Sequence, residues 1–182
     1  MKKTGLLLPI NDRKDLDEFE QQNIENAVEW TTNSPGLKIK NILTEKFLKT
    51  LHKKMFGNIW AWAGKFRTTN KNLGVDKTQI SEEAHKLLTD CLYWIEHNTF
   101  TPDEIAIRLK HRLVSIHPFA NGNGRHSRLL ADTLISRGLC LPVFTWGGHS
   151  LTQKSSVRTQ YLQALREADN KNYVPLLKFA RE

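Results

Sequence analysis

Cysteine is scarce in this chain: Cys91 and Cys140 are the only two in 182 residues, and both lie inside apolar stretches, CLYWI and LISRGLCLPVF. Two such residues make neither a disulfide framework nor the paired spacing of a zinc site, so a reducing, cytoplasmic setting is the expectation. Long apolar runs are lacking too. The opening MKKTGLLLPIND imitates a signal peptide only faintly, because the apolar stretch 6–10 is short and Asn11-Asp12 follows at once. No segment nears the roughly 18 apolar residues that cross a bilayer, so a soluble protein with no membrane partner is expected. Internal repeats, low-complexity tracts and interdomain linkers are also missing. Acidic residues are outnumbered, 19 against 27 lysines and arginines, for a net charge of +8. A basic surface attracts nucleic acid, nucleotides or acidic proteins. Here the basic residues are scattered, and the densest patch, LHKKM at 51–55, reads as the solvated face of a helix. Nucleic acid is therefore not the expected partner.

What is present is helical periodicity. Ala84, Leu87, Leu88, Cys91, Leu92 and Ile95 draw one apolar stripe on a helix that starts near Ser81. Leu43, Phe47, Leu48, Leu51 and Met55 do the same earlier, with Thr44 as the cap. Thr101-Pro102-Asp103-Glu104 is a capping box with proline at the first helical position, opening a helix that turns Ile105, Leu109 and Leu113 inward. Val157, Tyr161, Leu165 and Ala168 mark a further helix, and 173–180 a short last one. Residues 15–30 read as a helix with Phe19, Asn23, Ala27 and Trp30 on one side. Residues 33–36 and 143–150 read as loops. The segment KFRTTNKNLGV (65–75) has β-favouring residues either side of Asn70-Lys71-Asn72, which predicts a small hairpin. The expectation is an all-α, compact helical domain carrying one β-hairpin.

Residues 117–128, HPFANGNGRHSR, break the pattern. Pro118 disfavours α geometry at His117, so the helix opened by Pro102 stops there. Glycines alternating with asparagines tolerate left-handed backbone angles. Apolar spacing resumes at Leu129, Leu130, Leu134 and Ile135, so a new helix begins near Asn123. A glycine-rich turn at a helix N-terminus gathers free N–H groups that bind phosphate together with the macrodipole. Arg125 and Arg128, three apart, project from one face of that first turn, and two guanidinium forks suit a polyphosphate. His117 opens the same loop, where a neutral imidazole takes a proton from a hydroxyl nucleophile. Other readings of the bare composition stay open: a glycine C-cap, solvated arginines, a structural histidine. A Rossmann turn lacks its third glycine and a parallel βαβ setting, and a P-loop lacks Gly-Lys-Ser/Thr. A metal site from His111, His117 and His126 lacks a carboxylate or cysteine at ligand spacing.

HPFANGNGRHSR resembles the signature of the Fic/Doc family, HPFx(D/E)GNGRxxR. Upstream, WAWAGKFRTTNKNLGV is similar to the family's Trp-Ala-Gly, Arg and "flap" region, and YLQALREADNKNYVPLLKFA to its closing helices. The resemblance covers 43–182 as a Fic domain, leaving 1–42 as an N-terminal extension with one helix. Its EFEQQNIENAVEW looks closest to the bacterial mobile mystery protein B subgroup. The resemblance implies a Fic fold and a protein adenylyltransferase, with ATP and Mg²⁺, that moves AMP onto a Ser, Thr or Tyr hydroxyl of a target protein. His117 would be the general base. Gly122, Asn123 and Gly124 would form the anion hole, and Arg125 and Arg128 would hold the β- and γ-phosphates. Arg67, Thr68, Thr69, Asn70, Leu73, Gly74 and Val75 would be the flap that registers the target's backbone by strand addition. Gly124 favours AMP over phosphate transfer, since members that phosphorylate resemble the pattern with lysine there. Asn121 stands where the family has its acidic Mg²⁺ ligand; it either ligates through a neutral amide oxygen or only helps the turn. Glu25-Asn26 supplies the end of the family's inhibitory (S/T)xxxE(G/N) pattern, with Gln21 in place of Ser/Thr, so the helix is expected either to bring Glu25 or Glu20 to Arg128 or to be purely structural. Another nucleotide-derived phosphoryl transfer is the first alternative. The second is a weakly active binding module of a toxin–antitoxin or mobile-element gene pair, with an antitoxin or a second copy as partner.

Overall fold

The chain was analysed as a computed structural model, which describes residues 5–9, 12–148 and 156–182. Eight α-helices order the described residues: α1 Arg13–Asn33, α2 Ile39–Ile42, α3 Glu45–Phe56, α4 Ile80–Glu96, α5 Pro102–Ile116, α6 Asn123–Thr133, α7 Ser156–Asp169 and α8 Val174–Arg181. A π-helical turn, Leu134–Gly138, extends α6, and a short 3-10 turn spans Trp146–Gly148. No strand ladder forms among the described residues; only isolated antiparallel bridges occur, Leu6 with Trp60 and Phe66 with Phe119.

Two helices, α3 and α5, start on the caps the sequence names. Thr44 Oγ1 accepts from the Phe47 N–H at 3.1 Å, and Thr101 Oγ1 from the Glu104 N–H at 3.3 Å, each satisfying an orphan donor of a first turn. The core lies where α3, α4, α5 and α6 meet, around Leu48, Leu51, Leu87, Leu109, Leu113 and Leu130. Helices α5 and α6 pack on each other and aim the loop between them, 117–122, towards one end of the bundle.

Three expectations are corrected. The hairpin over 65–75 is an irregular loop: its backbone bonds cross to the 116–118 segment, Arg67 N–H to Pro118 C=O and Val75 N–H to Ile116 C=O, instead of pairing its own two arms. On α1 the buried side is Glu20, Asn23, Ala27 and Thr31, whereas Phe19 is exposed, a one-residue rotation of the predicted stripe. The patch 51–55 is solvated only at Lys53 and Lys54; His52 is fully buried. The predicted loop 143–150 is described only to Gly148, and the 6–10 stretch only to Pro9.

Candidate active site

His117 is the C-cap of α5 and sits in the left-handed region, φ 55°, ψ 57°. A non-glycine residue there costs about 1–2 kcal/mol, so its surroundings must hold it. They do so from two sides. From one side, Phe119 is fully buried and its backbone N–H and C=O are both bonded to the side-chain amide of Asn123, each at 2.9 Å. From the other, the buried Arg67 guanidinium donates from Nε to the His117 carbonyl at 2.7 Å, from NH1 to the Thr69 carbonyl at 2.9 Å and from NH2 to the Val75 carbonyl. Gly74 packs so closely that a Cβ there would lie 2.6 Å from the His117 Cβ, and its φ of +99° already requires glycine. Half-burial lowers the His117 pKa below the usual 6.5, opposed by hydrogen bonding to the Val114 carbonyl and reinforced by the Arg67 and Lys71 charges. The ring is therefore neutral at physiological pH, as a proton acceptor must be.

The turn into α6 is built from beneath by α3. His52 stacks on Phe119 with ring centroids 3.8 Å apart. Its Nδ1 accepts from the Gly64 N–H at 3.0 Å, which leaves Nε2–H to donate to the Asn121 carbonyl at 3.1 Å. Gly122, φ +76°, turns the chain against the Phe56 ring, where a Cβ would come within 2.6 Å. Its own N–H is bonded to Asn121 Oδ1 at 2.8 Å. The anion nest is thus shifted one residue along the chain from the expected Gly122, Asn123 and Gly124. The N–H groups of Asn123, Gly124 and Arg125 open α6, whose start has no side-chain cap, so three orphan donors point out of its first turn. Gly122 supplies the bend, and the Asn123 side chain is a buried staple. A Cβ on Gly124 would meet nothing within 4 Å, so there is room in front of the turn.

Arg125 and Arg128 lie near enough that Arg125 disfavours the charge on Arg128, although burial is the larger cause of its lowered pKa. Arg128 sits 6.0 Å from the Tyr161 ring, and Lys110, fully buried with no hydrogen-bond partner among the described residues, places its Nζ 4.5 Å over the same ring. Burial holds the Lys110 pKa well below the usual 10.5, and the nearby Arg128 charge lowers it further. Arg125 is already paired: NH1 donates to Glu20 Oε2 at 2.6 Å, while Glu20 Oε1 accepts from Trp60 Nε1 at 2.7 Å. The acid from α1 therefore reaches the first arginine of the pair, and the expectation of a contact with Arg128 is corrected. Glu25 is exposed and bonded to Gln21 one turn back, because the side of α1 that faces the core carries Glu20.

The flap is pinned at both margins. Arg67 is spent inside it, and Asn70 bridges its base, donating to Asp76 Oδ2 at 2.7 Å and accepting from the Lys77 N–H at 2.8 Å. Both side chains are engaged within the flap, although Asn70 itself stays exposed. Thr68 and Thr69 are exposed, Val75 is half-buried, and Leu73 stands at the tip, 69% exposed. A cleft of about 230 Å³ lies beside His117, between Leu73 and Gly74 of the flap, Val114 of α5, and Leu165 and Asp169 of α7. His111 joins that wall, donating from Nε2 to Asp169 at 2.8 Å and facing the Tyr173 hydroxyl at 3.4 Å.

The donor set does not fit a magnesium seat. Asn121 offers one neutral amide oxygen that already accepts a hydrogen bond, Glu20 is bound to Arg125 and Trp60, and no group of three His, Cys, Asp or Glu converges among the described residues. His111 and His126 are separately engaged, the latter with the Leu48 carbonyl at 3.0 Å.

Sequence reasoning missed His52, Trp60 and the His111–Asp169–Tyr173 group. His52 lay within reach, since it follows Leu48 by four and precedes Met55 by three, on the apolar side of α3. Trp60 and Asp169 carry no local signal; they meet their partners only through the tertiary packing.

The helical bundle thus places His117 beside an open helix N-terminus and two arginines. The Fic/DOC family model matches residues 42–135, and the chain belongs to that family. It is 28% identical over 173 residues to the protein adenylyltransferase Fic of Drosophila grimshawi, and 26% over 172 to that of Aedes aegypti, covering 92% of this chain each time. The chain spans about a third of those relatives, 34% and 33% of their lengths. Among solved structures, the N-terminal Fic domain of Bep8 from Bartonella sp. 1-1C superposes with a TM-score of 0.72 at 18% identity, over all of this chain and 92% of that one. The BepC protein of Bartonella tribocorum, solved with bound AMPPNP, gives 0.66 at 20% identity over 94% and 87%. These likenesses establish an all-α Fic fold.

Proposed function

We propose that the chain is a protein adenylyltransferase that moves AMP from ATP to a hydroxyl of another protein. The observation that carries this is the placement of a neutral imidazole, His117, at the mouth of the open, uncapped first turn of α6 with Arg125 and Arg128. Relatives named protein adenylyltransferase, matching 92% of the chain, support it. In this reading His117 takes the proton of the acceptor hydroxyl. The oxygen attacks the α-phosphorus, the bond to the bridging oxygen breaks, and pyrophosphate leaves. The N–H groups of Asn123, Gly124 and Arg125 and the two guanidiniums hold the charge that develops on the phosphates. To a magnesium ion carried by the ATP phosphates, Asn121 would offer at most one neutral oxygen. Exposed flap residues around Leu73 take the acceptor's extended backbone.

Regulation belongs to the same proposal. Glu20 competes with the pyrophosphate for Arg125, so α1 restrains the site through the first arginine. The domain division at residue 43 is read with it, α1 being the extension that carries the restraint. Finer parts of the proposal are a reducing, cytoplasmic setting, which suits the two free thiols, and a bacterial mobile mystery protein B type of gene pair with an antitoxin-like partner or second copy. The EFEQQNIENAVEW segment of α1 supports that last part.

The test is incubation with a cell lysate and ATP labelled at either the α- or the γ-phosphate. Protein labelled from the α position only, absent with His117→Ala and increased with Asn121→Asp at limiting Mg²⁺, is the expected result. Labelling from the γ position would establish phosphate transfer instead. No labelling by the wild type or by Glu20→Gln would end the proposal.

A further inference from the structure

Arg67 is buried, and among the described residues no carboxylate pairs with it; its three bonds all go to backbone carbonyls. Those carbonyls belong to two segments far apart in sequence: His117 on one side, Thr69 and Val75 at the two arms of the flap on the other. Its backbone N–H reaches the same place, the Pro118 carbonyl at 2.9 Å, beside the single bridge between Phe66 and Phe119. A planar fork with fixed donor directions fastens three carbonyls at once, which a single ammonium on a flexible stem does not. We propose that Arg67 is a positioning residue that locks the left-handed backbone of His117 to both arms of the flap, so that one guanidinium sets the register between base and incoming acceptor hydroxyl.

The inference rests on His117 being the base of the transfer proposed above, and it assigns Arg67 to the enzyme's own geometry instead of to target contact. Three features of the structure bear on it independently. The carbonyl it holds is that of the residue whose backbone is strained. Gly74 leaves no room for the flap to shift towards His117, its Cβ position lying 2.9 Å from Arg67 NH2 and 2.8 Å from the Ile116 carbonyl. Asn70 and Asp76 close the flap's outer edge separately, so loss of Arg67 frees the inner edge without dissolving the loop. The Arg67 guanidinium makes no bond to the α6 nest, whose side-chain supports come from Asn123, His52 and Phe56. Nucleotide binding and acceptor alignment should therefore separate.

Arg67→Lys and Arg67→Met are compared with the wild type by hydrogen–deuterium exchange, AMPPNP binding and transfer of label from α-labelled ATP to lysate proteins. Both variants are expected to bind AMPPNP within about twofold of wild type and keep the apparent KM for ATP. The labelling rate should fall about 100-fold, the cost of misplacing a reacting group by an ångström. Exchange should rise in 66–76 and at 116–119 while α3 and α6 stay protected. Full retention of transfer by Arg67→Lys would overturn the inference, because charge and not the fork would then suffice. Exchange rising equally through α3 and α6 would overturn it too, since Arg67 would then only support the fold. If the wild type transfers no label, the proposed function fails on its own, and the local exchange pattern with AMPPNP binding still decides whether Arg67 locks His117 to the flap.

Discussion

The two loops that flank His117 are fastened in opposite ways. The 117–128 loop is held from below by groups built into the helices: the Asn123 amide, the His52 imidazole and the Phe56 ring, each buried. The flap is held from the side, by Arg67 within and by the exposed Asn70–Asp76 pair without. A polyphosphate nest needs fixed donors, because preorganised N–H groups cost no rearrangement when charge develops. A surface that admits segments of another protein needs a tip left open, and Leu73 at 69% exposure provides it. Rigidity is concentrated on the nucleotide side, and the acceptor side is tied to it at one residue, His117.

The largest effect should come from that shared residue. His117→Ala removes the base but leaves the Arg67 bond to its backbone carbonyl, so transfer falls about 1,000-fold. AMPPNP affinity and melting temperature should change little; a comparable loss of AMPPNP binding would show that the imidazole belongs to the nest. The next variant breaks the comparison from the nucleotide side. Asn123→Ala strips two buried hydrogen bonds from Phe119 and leaves its N–H and C=O unsatisfied, a cost of about 3 kcal/mol by urea denaturation. On the flap, Asn70→Ala loses exposed bonds and should cost less than about 1 kcal/mol. Equal costs would mean the two loops are held alike.

Most of this contrast was legible on one side only. The helix caps at Thr44 and Thr101, the break at His117 and the restart at Asn123 follow from residue chemistry within a few positions, and the structure places them there. The Fic motif gave the nest and its arginines for the same reason. The flap was misread because Asn70-Lys71-Asn72 carries a turn signal, whereas its arms bond to the 116–118 segment some 45 residues away. Glu20 was placed by its helix and not by its rotation; a one-residue turn of the α1 stripe decides which arginine it meets, and local pattern does not resolve that. Asn123 was expected in the anion hole, but that its side chain staples Phe119 is not legible, because the sequence does not tell which face of a first turn is buried.

Acid should loosen the nucleotide side before the flap. Burial lowers the His52 pKa from 6.5 to about 4 and the His126 pKa to about 3, the latter on the buried side of α6 with no hydrogen-bond partner for Nδ1 among the described residues. The fold therefore favours both rings neutral. Their contribution is whole above the unfolded value of 6.5 and is lost as pH falls through the window towards 4 and 3. Between pH 7 and 5.5 that amounts to about 1 kcal/mol for each histidine. Asp76 runs the other way: hydrogen bonds from the Thr78 hydroxyl and N–H, and from Asn70, lower its pKa to about 2, so it stays ionised over that range. Exchange followed at pH 7 and 5.5 should rise first at 117–126, with the Asn70–Asp76 margin unchanged. The opposite order would remove the basis for treating His52 as the support of the nest.

A last pair of variants sharpens the comparison at its regulatory edge. Glu20 is the one residue of α1 that touches the nest's cations, and it does so while buried and held by Trp60. Replacing it by alanine would strand the Trp60 N–H, confounding regulation with stability. Glu20→Gln keeps an acceptor for Trp60 and removes the charge that neutralises Arg125, so the fork is released to an anion while α1 stays docked. ATP or AMPPNP should bind about tenfold tighter, within the range of ordinary coupling energies. By contrast, Glu25→Gln should leave binding as it is, since Glu25 bonds only to Gln21 on the solvent side of α1. Titration calorimetry of both variants separates the outcomes. Tighter binding in Glu20→Gln alone assigns the restraint to Arg125, whereas tightening in Glu25→Gln would return it to the position expected from the family pattern.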